Sequence, residues 1–266
     1  MNKYLKPINY WRKFIFFKDK IIFEPFYSID KANSIEIDKF DQYGFDYQGS
    51  ISRVNKILKN LDQVDYNLQN HMASVHWLLF AALAETNKIR SILEIGTFDG
   101  QTTLLLSKIF PDAKIITVDL PEDDPIFFSS YQRDNHDFRM DFIKKQLENT
   151  SSDNVKLVKK NSFFLNEVVE QKFDLIWVDG GHLYPEISWD ICNAYHLCNA
   201  KGWIMFDDIV PNKKSKKGPA ISSGYIVLEY IKLRMKSKIT YFLKRDKPEF
   251  SANPSKRKYV ALMQKK

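Results

Sequence analysis

Apolar and polar positions change their rhythm near residue 90. Downstream of it, short runs rich in β-branched and apolar residues alternate with longer stretches whose apolar positions recur three and four apart. The runs predict strands at 91–97 (SILEIGT), 114–120 (KIITVDL), 155–161 (VKLVKKN), 173–179 (FDLIWVD), 202–208 (GWIMFDD), 238–243 (KITYFL) and 258–264 (KYVALMQ). Helices are expected at Gln101 to Phe110, about Phe138 to Asn149, Ile187 to Asn199 and Ser223 to Met235. Strands alternating with crossover helices imply an α/β fold: a doubly wound, mostly parallel seven-stranded sheet covered on both faces. The last two strands lack a helix-length segment between them, so they are expected to close the sheet as an antiparallel hairpin.

Upstream, Leu68, Met72, Val75, Leu79, Ala82 and Leu83 fall at helical spacing and predict an amphipathic helix over 68–86 that leads into the first strand. Residues 1–60 give no clear architecture: an aromatic and basic start (YWRKFIFF) is followed by a polar stretch, DQYGFDYQGS. The expected organisation is an N-terminal extension or cap over 1–65 and a main domain over 66–266. No internal repeat is present.

Two strand ends stand out. FDLIW delivers the chain into VDGGHLYPEISWD (Val178 to Asp190), and GWIMFDD ends on the pair Asp207 and Asp208. In a doubly wound sheet ligands bind outside the carboxyl ends of the strands, so Asp179, Asp207 and Asp208 should face one crevice. Three carboxylates there repel unless a cation joins them, and a hard divalent ion such as Mg²⁺ takes oxygen ligands. Taken singly, each residue has a plainer use: Asp208 as a helix cap, Asp179 as support for the Gly-Gly turn, His182 as a helix-start residue.

The first strand runs into LEIGTFDGQTTLLL, which places Glu94, Gly96 and Gly100 ahead of an apolar helix. Glycines allow a sharp turn and close approach of backbone to a ligand, and the helix offers unpaired amides at its start. The spacing is G-x-x-x-G with an acid two residues ahead rather than the G-x-G-x-x-G of dinucleotide sites, which favours a cationic ligand over a pyrophosphate. Asp119 at the end of the second strand is placed to accept hydrogen bonds from the vicinal hydroxyls of a ribose.

This E-x-G-x-x-x-G segment, the acid closing strand two and the seven-strand count resemble the class I S-adenosylmethionine-dependent methyltransferases. The resemblance covers about residues 68–266 and implies a cofactor set of Glu94, Gly96, Thr97, Gly100 and Asp119. Where many relatives carry an acid for the adenine amino group, this chain has Asn161 followed by Ser162, and the Asn161 carbonyl could accept that bond. VDGGHLY with FDD is similar to the metal-dependent O-methyltransferase branch, which includes catechol-type enzymes and those acting on macrolide sugars. It implies Asp179, Asp207 and Asp208 as metal ligands, with Asp179 and His182 at the reacting oxygen. D-D where catechol-type enzymes often have D-N points to the sugar-modifying side.

Composition adds less. Forty Lys and Arg against 33 Asp and Glu give a formal charge of +7, spread along the chain, with local density at 213–217, 244–247 and 256–258. The loop PNKKSKKGPAISSG (Pro211 to Gly224) is expected to be mobile at the crevice mouth, where Lys213, Lys214, Lys216 and Lys217 could meet a phosphate-bearing acceptor such as a glycan precursor. In HMASVHW, His71 and Met72 are candidates for cofactor or substrate contact, whereas Trp177 is expected in the core. No basic stripe interleaved with aromatics and no N/D-P-P-Y/F segment supports nucleic-acid methylation, the rival activity. A non-catalytic cofactor-binding scaffold is the other alternative.

Cys192 and Cys198 are expected on one helix as buried thiols, too poorly disposed for a disulfide or a metal pair. No apolar run reaches the ~20 residues of a membrane span and no signal-peptide core is present, so a cytoplasmic enzyme is expected. A small-molecule acceptor is the expected partner, with oligomeric state, a homo-oligomer included, left open.

Overall fold

A computed structural model describes residues 20–67, 74–211 and 223–266. Seven strands form one sheet: β1 (Ser91–Ile95), β2 (Lys114–Asp119), β3 (Val155–Lys159), β4 (Phe173–Val178), β5 (Cys198–Ile209), β6 (Lys238–Leu243) and β7 (Tyr259–Gln264). Their order is β3-β2-β1-β4-β5-β7-β6. β1 to β5 pair in parallel, and β7 inserts antiparallel between β5 and β6. The predicted closing hairpin is present, and all seven strands lie where the apolar runs place them.

The helices are α1 (Ile29–Asp41), α2 (Tyr47–Asn60), α3 (Val75–Thr86), α4 (Gln101–Ile109), α5 (Pro125–Ser129), α6 (His136–Asn149), α7 (Glu186–Leu197), α8 (Ser223–Arg234) and the short α9 (Pro248–Ser251). The stretch without a sequence architecture holds α1 and α2, each started by a side-chain cap: Ser28 accepts from the Lys31 amide and Asp46 from that of Gly49. Phe40 of α1 and Val54 and Leu58 of α2 share a core with α3 and with Trp177 and Phe242 of the sheet.

Two expectations need correction. The helix ahead of β1 is not amphipathic over its described length: Val75 through Leu83 are all buried. It lies between the sheet and α2, so it has no solvent face to populate with polar residues. The cysteines are not two buried thiols of one helix. Cys192 is exposed on α7, and Cys198 is buried as the first residue of β5, because the chain leaves the helix at Leu197.

Two apolar layers sandwich the sheet. One gathers α2, α3 and α4 against Leu175, Trp177 and Met205; the other gathers α7 and α8 against Ile176, Val178, Ile204 and Phe206. Alternate residues of β4 and β5 thus point to opposite faces, which is why both strands read as continuous apolar runs. That packing holds the carboxyl ends of β1, β4 and β5 side by side.

Candidate functional site

Gly96 closes β1 at φ +97°, and a Cβ built there would meet the Asp179 carbonyl oxygen at 2.3 Å. Only a glycine lets the β1 and β4 ends run this close. Backbone bonds seal the junction: the Gly96 amide donates to Val118 and the Asp179 amide to Ile95. Gly100 at φ +79° starts α4 without a side chain of its own to cap it, and the first amide of that helix, that of Gln101, donates to Asp99 Oδ1 at 3.2 Å.

Glu94 is fully buried on β1. Thr103 and Thr117 donate hydroxyl bonds to its Oε2, that of Thr117 at 2.6 Å, and the Thr97 and Thr117 hydroxyls are 2.6 Å apart. Its Oε1 is buried without a hydrogen-bond partner. Burial pushes the carboxyl up to about 7, against the pull of the two threonines. A carboxylate with one satisfied and one bare oxygen is suited to an ammonium donor.

Asp119 accepts from the Leu120 amide at 2.8 Å and from the Gln146 side chain at 2.7 Å. Gln146, buried on α6, also donates to the Phe98 carbonyl and accepts from Lys159, so one amide ties the glycine loop to the β2 acid. Arg133 is buried close by, 4.1 Å over the Phe127 ring and 4.8 Å over that of Phe142. Asn161 caps the turn after β3: its Oδ1 accepts from the Phe163 amide and its amide donates to Asp124. Ser162 opens that turn, and its carbonyl accepts from Asn193 of α7. Asp190, also on α7, is buried behind the Gly180 turn with no hydrogen bond of ordinary geometry to either oxygen. Burial pushes its carboxyl up to about 6, with Ser162 pulling the other way.

The acidic strand ends converge. Asp207 and Asp208 occupy a bulge in β5, where two residues face one on β7 and Asp208 takes φ +54°. One ligand atom each from Asp179, His182 and Asp207 lies within 4.8 Å of the others. His182 Nε2 is 3.5 Å from Asp179 Oδ1 and 3.7 Å from Asp208 Oδ2. Burial holds the His182 imidazole below its usual pKa, although Asp208 and Asp207 pull it up. Burial and the facing Asp207 hold the Asp179 carboxyl well above the carboxylate range.

Lys244, one residue past β6, was not visible in the sequence as part of this site. Its ammonium donates to Asp207 and, at 2.6 Å, to Asp208, while Lys258 donates to the other oxygen of Asp208. Burial alone would raise both acids, but the Lys244 charge outweighs it and both lie below the usual range. Of HMASVHW, His71 and Met72 fall outside the described residues, as do Lys213, Lys214, Lys216 and Lys217. His76 is the histidine that reaches the site's edge: its ring stacks on buried Trp177 at 4.6 Å and feels the charge of Asp207, while burial lowers its pKa to about 3. The motif gave no reason to separate His76 from His71, since both sit among apolar residues.

Residues 93–209 match the family model of a methyltransferase domain. No curated protein matches the chain by sequence. Among solved structures, the chain is similar to an O-methyltransferase of tomaymycin synthesis from Streptomyces achromogenes, solved with S-adenosylmethionine. Identity is 16%, with 90% of this chain and 98% of that one covered and a TM-score of 0.53. A protein from Staphylococcus aureus provisionally assigned as a caffeoyl-CoA O-methyltransferase is 14% identical, with 89% and 99% covered and a TM-score of 0.54. A third, from Klebsiella pneumoniae and provisionally assigned as an O-methyltransferase, is 15% identical, with 87% and 96% covered and a TM-score of 0.53. Residues 93–209 of this chain thus resemble a methyltransferase domain, and the chain shares with these O-methyltransferase structures their fold, a Rossmann-like seven-stranded sheet.

Proposed function

We propose that this protein transfers the methyl group of S-adenosylmethionine to a hydroxyl of a small acceptor, a sugar or similar metabolite, with the help of a divalent cation. The observation that carries the reading is the convergence of Asp179, His182, Asp207 and Asp208 at the carboxyl edge of β4 and β5, beside the glycine loop. Glu94 would take the cofactor's ammonium, Gly96, Thr97 and Gly100 its methionine part, Asp119 its ribose, and Asn161 and Ser162 its adenine.

The donor set suits a hard divalent ion: three carboxylates, a neutral imidazole, and a buried Asp207 Oδ1 that has no donor and faces Asp179. Two carboxylates confront each other in this way only with a proton or a cation between them. Asp179, Asp207 and Asp208 would hold the ion, His182 being the fourth group in reach. Such an ion lowers the pKa of a bound hydroxyl. His182, beside the acids, would take the proton that the hydroxyl gives up as oxygen attacks the sulfonium methyl. Positioning supplies most of the remaining rate, since displacement at carbon needs the methyl and the oxygen in line. The contact of Lys244 with both strand-end acids supports a second reading, in which its ammonium and that of Lys258 supply the counter-charge and no metal is used.

The deciding measurement is calorimetry on the intact chain. S-adenosylhomocysteine is expected to bind, and Mn²⁺ to bind in its presence and to be lost in Asp179→Asn and Asp207→Asn. An absence of S-adenosylhomocysteine binding would sink the methyltransferase reading. Full methyl transfer to a hydroxylated acceptor in excess chelator would leave the Lys244 reading in place.

A further inference from the structure

A second cavity, of about 330 Å³, opens between α1, α2 and the connector that joins β6 to β7. Asp246 of the connector lines it together with Tyr47, Tyr66, Ile37, Ile51 and Asn33. Asp246 is 2% exposed and Tyr66 8%. The Tyr27 hydroxyl donates to Asp246 Oδ1, but Asp246 Oδ2 is buried without a hydrogen-bond partner, and so is the Tyr66 hydroxyl. The charge acting on Asp246 is that of another acid, Asp30, and among the described residues no cation pairs with it. Asp246 acts in turn on the Tyr47 phenol, and Tyr47 on that of Tyr66, so the three groups share one neighbourhood.

We propose that this cavity binds the primary ammonium group of a small amine. A buried polar atom left unpaired is costly, and one ligand answers both of those that belong to this cavity. An ionised carboxylate oxygen only accepts and a phenol oxygen also accepts, so the ligand must bring donors. A primary ammonium carries three N–H groups on one atom, enough for Asp246, Tyr66 and the Asn33 side-chain carbonyl, whereas an alcohol has a single donor for the same acceptors. Its charge also offsets the burial that raises the Asp246 carboxyl against the pull of the Tyr27 hydroxyl, and tyrosine rings such as those of Tyr47 and Tyr66 attract a cation that meets their faces. An anion meets an uncompensated carboxylate instead. Ile37 and Ile51 offer apolar surface to the carbon skeleton. Asp246 lies two residues past Lys244, so the amine and the strand-end acids are served by the same connector. The inference goes beyond methyl transfer and does not depend on it.

The test titrates 2-phenylethylamine, its N,N,N-trimethyl derivative and 2-phenylethanol into the full chain by calorimetry. The primary amine is expected to bind saturably, about tenfold or more tighter than either other probe, because one lacks N–H donors and the other lacks the charge. Asp246→Asn keeps the side chain's shape and an acceptor for Tyr27 while removing the charge, and should weaken amine binding about tenfold or more. Tyr66→Phe should weaken it about threefold or more. Thermal melts establish that each variant folds, and the amine should raise the melting temperature of the parent but not of Asp246→Asn. If Asp246→Asn does not fold, Tyr66→Phe carries the comparison. The proposal is overturned if the primary amine does not saturate, if the trimethyl derivative or the alcohol binds as tightly, or if the folded variants bind the amine like the parent.

Discussion

The Lys244 ammonium lies 2.6 Å from Asp208 Oδ1 and also donates to Asp207, so a side chain of the β6–β7 connector neutralises the acids at the end of β5. Removing it leaves the buried Asp207 carboxylate uncompensated while Asp208 keeps Lys258, a change that costs about 3–5 kcal/mol. Lys244→Ala should therefore unfold at markedly lower temperature, and Mn²⁺ should restore much of the loss. Its Mn²⁺ affinity should exceed the parent's, because ammonium and ion compete for the same oxygens. Thermal melts with and without Mn²⁺ check both parts; a melt that ignores the ion would refute the competition.

Gly96→Ala tests the closeness of the β1 and β4 ends. The new methyl would start 2.3 Å from the Asp179 carbonyl in a backbone at φ +97°, so the strands must part. A loss of about 3 kcal/mol or more in unfolding free energy is expected. Because Asp179 moves with the strand, Mn²⁺ binding should weaken along with stability. Denaturant melts and metal titration on the same sample measure the two together.

Glu94 carries a pH prediction. Its folded pKa is raised by burial to about 7 from 4.5, so the carboxyl holds a proton near pH 6 that an ammonium ligand would displace. Binding of S-adenosylhomocysteine at that pH should release close to one proton per site, and the release should vanish in Glu94→Gln. Calorimetry in buffers of differing ionisation enthalpy reads the proton directly. Equal apparent enthalpies across buffers in the parent would count against Glu94 as the ammonium partner.

Asp190 predicts a slope in stability rather than in binding. Burial raises its folded pKa to about 6 from 3.8, so its favourable contribution is complete below the unfolded value and is lost as pH rises through about 6. The stability difference between the parent and Asp190→Asn should shift in favour of the variant between pH 4 and pH 8. The size is on the order of 3 kcal/mol at 1.36 kcal/mol per pKa unit. Denaturant melts across that range test it, and parallel curves for the two proteins would contradict it.

The pattern along the chain determined the sheet. Seven apolar runs with β-branched content, the glycines at 96 and 100, and acids at 119, 179, 207 and 208 all sit at strand ends where local spacing alone puts them, because each is read within a window of ten residues. Those windows say nothing of what lies opposite. The helix at Val75–Thr86 looked amphipathic in sequence because its burial on the second side comes from α2, more than a dozen residues upstream. Lys244 and Lys258 looked like surface charge, since 36 and 50 residues separate them from Asp208 and nothing local marks a lysine as an acid's partner. Tertiary structure decided those contacts: inserting β7 between β5 and β6 folds the connector back over the acids, and burial there makes an ion pair the condition for keeping charge at all.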